Sequence, residues 1–362
     1  GFGHPTVAIF PALLALAEST GATGRDVIEA YVIGCEVGMA IQHATKYNQM
    51  QKGFHGTAVI GRLASAAACA KLLKLDQGQT TTALGIAGSM ASGLIHNFGT
   101  MTNPLHAGLT CRDGVMAAQL AQRGLSSGDQ VVEHPFGFAA TVIGEGTYDL
   151  DQMAENLGNP FRIQDALIIK KYPCCGGNHA MLDSLFSLMR QHNFTHEDVA
   201  SAEVDQSYHS VVMLYQEPED GLKGKFSAKY NVAAALIDGE IGVETFRDEK
   251  IAEPAVQDTM AKVRTRVLAK SEDGSTDFQK GLPIRITLKD GRVFEHTTGR
   301  HDILGGQVTP WGFDNIKNKF RENAGMVLDD DAVSAAVDTW SDIPQMPDLA
   351  GAIRRTLVRD RD

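Results

Sequence analysis

The sequence predicts a mostly α-helical protein in which a large helical part gives way to a smaller α+β part and then to helix again. Three observations carry this. Apolar residues recur at three- and four-residue spacing from Pro5 to about Arg123, alternating strand patterns appear only after Asp165, and a helical period resumes from Asp314 with Ile316, Lys319 and Phe320. The expected boundaries are a helical domain over 1–165, an α+β domain over 166–309 and a C-terminal return to helix over 310–362. A chain of 362 residues suits about two domains.

In the first part, Val27, Ile28, Tyr31, Val32 and Cys35 form one apolar stripe. The runs Thr57 to Ala70 and Ala83 to Gly93 are loaded with alanine, glycine and serine, so these helices can approach their neighbours closely and are expected at the centre of the domain. In the second part, Ser201 to Leu214 reads as a strand, and Pro283 to Glu295 reads as two strands joined at the Asp290-Gly291 turn. Helical patterns over Asn178 to Gln191 and Phe226 to Ile237 lie between these strands, so helices should cover one face of the sheet. Asn178 and Ser227 are placed to cap them.

Composition narrows the function classes. A net charge of −11 opposes broad affinity for nucleic acid or an anionic membrane, because such surfaces need clustered lysine and arginine. Arg62 and Lys71 interrupt the most apolar stretch, and no charged-then-apolar leader opens the chain, so no membrane span or targeting segment is expected. The five cysteines, at 35, 69, 111, 174 and 175, are odd in number and mostly inside apolar patterns, which suits free thiols and a cytoplasmic location.

Four histidines, His4, His55, His96 and His106, sit near predicted helix starts, where an imidazole and the unpaired amides of a first turn can meet a carboxylate. Their spacing offers no His-x-x-x-His pair, so metal chemistry is not expected, and no Gly-x-Ser-x-Gly elbow supports a serine nucleophile. Adjacent Cys174 and Cys175 are expected to be packing thiols. Lys170 precedes Pro173, the permissive Gly176-Gly177 pair and a helix start, which gives a carboxylate both an ammonium and a helix terminus; Lys171 is expected to be the solvated member of the pair. A second cluster, Lys223, Lys225, Lys229 and Tyr230, precedes and enters an apolar helix. There Tyr230 offers a phenol as donor, or packs with a wet tip.

Taken together, Gly3-His4-Pro5, Gly53-Phe54-His55, Gly85-Ile86-Ala87-Gly88-Ser89, Pro104-Leu105-His106-Ala107-Gly108, Lys170-Lys171-Tyr172-Pro173 and Phe226-Ser227-Ala228-Lys229-Tyr230 resemble the MmgE/PrpD family, in order and along nearly the whole chain. That family includes 2-methylcitrate dehydratase, cis-aconitate decarboxylase and iminodisuccinate epimerase. The resemblance implies a large all-helical domain with an inserted α+β lid domain, an active site between them, a homodimer, and no metal or organic cofactor. Carried across, its active-site histidines fall on His4 and His55, the histidine of its Leu-His-x-Gly motif on His106, its lid lysine on Lys170 and its lid tyrosine on Tyr230. Asn103, Gly177 and Lys229 are the accompanying substrate-binding candidates.

Two positions depart from the decarboxylase-like members: Asn103 stands where they carry a lysine, and Cys175 where they carry a histidine. The chain also opens at Gly1, almost on the His4 motif, so the helices that precede it in the family are expected to be missing. The implied reaction takes a proton from carbon beside a carboxylate of a small di- or tricarboxylate, with His55 or His106 as acid or base, Lys170 neutralising a carboxylate and Tyr230 or His4 handling the second proton. A 2-methylcitrate dehydratase-like hydro-lyase is favoured. An epimerase of an iminodisuccinate-like substrate is the alternative, decarboxylation ranks third, and a non-catalytic carboxylate-binding homologue is the rival from another class.

Overall fold

The computed structural model describes residues 2–206, 213–268, 281–299, 302–303, 305–306 and 310–357. The described residues are mostly α-helical with one four-stranded sheet, and the chain divides into two compact units. The first unit comprises Gly1–His96, Thr102–Leu167 and Ile316–Asp362; the second comprises Asn97–Met101 and Ile168–Asn315.

The first unit contains α1 (Pro5–Thr20), α2 (Gly24–Thr45), α3 (Asn48–Gln51), α4 (Gly56–Leu72), α5 (Gln77–Ser89), α6 (Thr102–Gln122), α7 (Asp151–Ala154) and α8 (Ile163–Ala166). Every residue of α4 except Lys71 is buried, and this helix packs against α1, α2, α5 and α6. Its small residues make that possible. A Cβ added to Gly34 of α2 would lie 2.7 Å from the Ala68 Cβ of α4, so the two backbones meet where neither carries bulk. The start of α2 is fixed by a capping box, in which Thr23 and Asp26 each accept the other's backbone N–H.

The second unit contains α9 (His179–His192), β1 (Val199–Gln206), α10 (Gly221–Gly224), α11 (Ala228–Asp238), α12 (Asp248–Ile251), α13 (Pro254–Met260), β2 (Val263–Val267), β3 (Pro283–Leu288) and β4 (Val293–Thr297). The sheet order is β2-β1-β3-β4, with β1 parallel to β2 and antiparallel to β3, and β3 antiparallel to β4. β3 and β4 form the hairpin expected around Asp290-Gly291, and Gly291 has the positive φ, 87°, that the turn needs. Ile284, Ile286 and Leu288 of β3 are buried while Arg285 between them is exposed, so the strand offers one face to the core. α9 packs on β3 and β4, and α11 on β2. The strand expected over 201–214 is β1; residues 207–212 lie outside the described residues.

Ser227 caps α11, its hydroxyl accepting the Tyr230 N–H. Asn178 does not cap α9: the chain enters that helix through a 3₁₀ turn, Gly176–Asn178, and the Asn178 amide instead donates to the Lys225 carbonyl. Helix resumes as α14 (Phe313–Ala324), α15 (Asp330–Trp340) and α16 (Leu349–Thr356), and Leu349 and Ile353 of α16 enter the core that α1, α2 and α4 share. Among the described residues no helix is long and apolar enough to cross a membrane.

Candidate active site

In the first unit, α4 begins at His55, whose backbone is extended (φ −76°, ψ 111°) and whose side chain makes no capping bond. The entry is held by main chain. Phe54 forms an antiparallel bridge with Leu94, the His55 N–H donates to the Gly93 carbonyl at 3.0 Å, and the Ile95 N–H donates to the Gly53 carbonyl at 2.8 Å. With the ring not used as a cap, it reaches α6, which carries His106 in its second turn. The two imidazoles meet Nδ1 to Nδ1 at 3.1 Å, with ring centroids 5.4 Å apart. Both side chains are buried.

His4 is the third member. It stands at the N-cap of α1, and Thr57 Oγ1 takes both its main-chain N–H, at 3.0 Å, and a hydrogen bond with its ring Nδ1, at 3.1 Å. Its ring lies edge-on to that of His55, centroids 6.2 Å apart. Gly3 lets the chain lie on Thr57: its φ is 121°, and a Cβ there would collide with the Thr57 hydroxyl. His4, His55 and His106 therefore form one cluster, whereas His96 sits exposed in the 3₁₀ turn Ile95–Asn97.

An Nδ1-to-Nδ1 hydrogen bond contains one proton. The imidazole that donates it keeps its lone pair on Nε2, and the acceptor carries its own proton on Nε2. The pair therefore presents a base at one end and an acid at the other, and a proton arriving at one Nε2 can be matched by one leaving the other. Burial, then the nearby His4 and His106, push His55 down to about 3 from the ordinary histidine value of 6.5. Burial, then the Arg62 guanidinium, lower His106 as well. At neutral pH both rings are uncharged.

Beneath them lies an ion pair that sequence reasoning passed over. Arg62 Nε donates to Asp113 Oδ2 at 2.6 Å, and both side chains are buried. Arg62 Nη1 also donates to the carbonyls of Ala58 and Ser92. Ser92 precedes Gly93, whose carbonyl holds His55 and whose Cβ, if present, would stand 3.6 Å from the His106 ring and 2.5 Å from the Ala58 Cβ. The available signal was a lone arginine inside a helix of alanines.

In the second unit, the Lys170 ammonium donates to the Cys174 carbonyl at 2.9 Å. Gly177 is exposed in the turn that leads into α9. Lys171 is not the solvated lysine expected of it. It is half-buried, 4.9 Å over the Tyr172 ring, and burial lowers its pKa against the opposing pull of Asp183. The Tyr172 hydroxyl donates to Asp183 at 2.7 Å, which is why this segment packs down onto α9. Burial pushes the Cys174 thiol up to about 12 and raises Cys175 too, so both remain protonated.

Tyr230 is fully buried, and its hydroxyl donates to the Thr245 carbonyl. The Lys229 ammonium is paired with Glu217 at 2.6 Å. In the first unit again, Asn103 lies half-buried one turn before His106 on α6, at the i,i+3 spacing that puts both on one face. Among the described residues no three His, Cys, Asp or Glu side chains converge as a metal site would require.

Residues 2–151 match the MmgE/PrpD N-terminal domain, and residues 172–342 match the MmgE/PrpD C-terminal domain. The cis-aconitate decarboxylase of Mus musculus is 30% identical over 361 residues, covering 96% of this chain and 72% of that protein. That of Homo sapiens is 30% identical over 363 residues, covering 96% and 73%. The cis-aconitate decarboxylase of Aspergillus terreus is 26% identical over 370 residues, covering 96% and 74%.

Proposed function

The chain belongs to the MmgE/PrpD family, and from that premise we propose that it is a lyase acting on a small di- or tricarboxylate by proton transfer at carbon next to a carboxylate. The observation that carries this is the His55–His106 pair, two buried neutral imidazoles sharing one proton at 3.1 Å. A neutral imidazole offers a lone pair at pH 7, and because buried His55 holds a proton weakly, a proton taken at one ring is passed on through the shared hydrogen bond while the other ring releases one, so no charge stays in the core.

In a dehydration, the base takes the proton from the α-carbon, the electron pair forms the new C=C bond, and the β-hydroxyl departs with a proton as water. Negative charge builds on the carboxylate as the C–H bond breaks, so a cation must already face it. The family resemblance assigns that task to Lys170, nine residues before the start of α9. His4 is preferred to Tyr230 for the second proton, because the Tyr230 hydroxyl is buried on a carbonyl while His4 is exposed beside the pair.

The relatives favour a second reading. They are cis-aconitate decarboxylases, and in a decarboxylation of that kind the C–C bond to carbon dioxide breaks, its electron pair spreads over the adjoining C=C bond, and the resulting carbanion takes a proton that the same pair can supply. The expected ranking of dehydration first therefore rests on the family's range alone, and the departures at Asn103 and Cys175 still weigh against decarboxylation. Purified protein incubated in deuterated water with 2-methylcitrate, cis-aconitate and iminodisuccinate separates the cases. Olefin absorbance with 2-methylcitrate marks the dehydratase, carbon dioxide with a deuterated product marks the decarboxylase, and deuterium uptake with neither marks an epimerase. No reaction and no exchange with any of the three contradicts the proposal.

A further inference from the structure

We propose that the cleft between α9 and the end of β4 binds a phosphate group, with Lys171 and Arg190 as its cations, His296 Nε2 as a donor and Asp302 as an acceptor. None of His4, His55, His106 and Lys170 lines that cleft, so the site does not rest on the proton-transfer reading.

The cleft has a volume of about 310 Å³ and lies wholly within the second unit. One wall is α9, where Asp183, Ser187 and Arg190 recur at four- and three-residue spacing and so share a face. The other is β4: His296 pairs with the buried Ile284 across the hairpin, which turns its side chain to the face that α9 covers. Lys171 enters from the segment that the Tyr172–Asp183 hydrogen bond pins to α9. Two cations from different elements thus line one cleft, and neither forms an ion pair among the described residues.

The acidic neighbours do not neutralise them. The Asp183 carboxylate is buried and takes the Tyr172 hydroxyl at 2.7 Å, while Asp302 is exposed. Burial lowers the proton affinity of Lys171, Asp183 opposes this, and Arg190 adds to it. Partly desolvated like charges in one cleft are costly unless an anion joins them. His296 Nδ1 is buried with no hydrogen-bond partner, so Nε2 is the ring nitrogen left to meet a ligand, and Ser187 and Thr297 add hydroxyls. These donors suit an oxyanion, and Asp302 selects among oxyanions. A carboxylate or sulfate is fully ionised at neutral pH and meets Asp302 as a like charge, whereas hydrogen phosphate keeps a proton and can donate it to that carboxylate.

The test is calorimetric titration of the full chain with inorganic phosphate, glycerol phosphate and sulfate near neutral pH at constant ionic strength. Phosphate should bind more tightly than sulfate, and Lys171→Met and Arg190→Met should each weaken its binding at least about tenfold, the loss of one charge-assisted hydrogen bond. Asp302→Asn should narrow the preference over sulfate, and Arg285→Met, at an exposed cation of β3, should bind as the parent does. Tighter binding of glycerol phosphate than of the free ion would identify the bound group as part of an ester, and the reverse order as free phosphate. In parallel, acetic anhydride labelling of the parent protein read by mass spectrometry needs no variant to fold: phosphate should protect Lys171 and leave the exposed Lys289 unchanged. Sulfate binding as tightly as phosphate overturns the phosphate assignment. Binding that neither depends on Lys171 and Arg190 nor protects Lys171, or no saturable binding of either phosphate compound, overturns the site.

Discussion

Acidification should weaken this protein through His55 in particular. In the unfolded chain His55 binds a proton near pH 6.5, whereas in the fold burial and its histidine neighbours hold it to about 3. The unfolded state therefore binds the extra proton throughout that interval. The stabilising contribution is complete above pH 6.5 and is lost progressively as pH falls toward 3. At pH 4.5, two units below the unfolded value, the loss is about 3 kcal/mol, from about 1.4 kcal/mol per unit for one proton. Gln at this position does not titrate. Urea unfolding of the parent and of His55→Gln at pH 7.5 and 4.5, followed by circular dichroism, should show the parent losing about 3 kcal/mol more than the variant between the two conditions. Equal losses in both proteins would mean that His55 already titrates near its ordinary value in the fold, and the neutral buried pair would be wrong.

Other outcomes follow from the same geometry. Arg62→Met takes one of two guanidinium partners from the buried Asp113 carboxylate, Arg112 remaining on its Oδ1, and should cost about 1.5–3 kcal/mol by thermal or urea unfolding, while adding Asp113→Leu should regain part of it. Gly93→Ala places a Cβ against Ala58 at a φ of 136° and should cost about 1–3 kcal/mol, with turnover falling as the His106 ring is displaced. Tyr230→Phe should lose about 1–2 kcal/mol of stability, because the Thr245 carbonyl is left without its donor, and should keep turnover within about twofold. A much larger loss of turnover in that variant with stability intact would restore Tyr230 as the proton donor.

Most of the helical architecture was readable because burial imposes a period on the chain. The small-residue runs marked α4 as central, since nothing else explains a helix with so little side-chain volume. The Ser227 cap and the Asp290-Gly291 turn were equally legible, as both act over three or four residues. What could not be read was set by residues distant in sequence. Which of Lys223, Lys225 and Lys229 escapes neutralisation depends on where Glu217, Glu219 and Asp220 are carried by the preceding segment. Asn178 has the composition of a cap, yet a partner 47 positions away, Lys225, claims its amide.

The histidine cluster shows both sides of this. His4, His55 and His106 were singled out by their places at helix starts and by family resemblance, but nothing local says that two of them share a proton. That contact needs α4 and α6 to pack at glycine-backbone distance, with Gly93 between them. Arg62 was visible only as an interruption in an apolar run, and its partner Asp113 lies 51 positions away on another helix.

The most direct measurement is hydrogen–deuterium exchange at the carbon next to the carboxylate of a bound substrate, followed by NMR in deuterated water for the parent, His55→Gln and His106→Gln, with substrate binding measured in parallel. The account predicts exchange or turnover in the parent and a fall of at least about a hundredfold in each variant, with binding held within a few-fold. Exchange persisting at the parental rate when either imidazole is gone would contradict it.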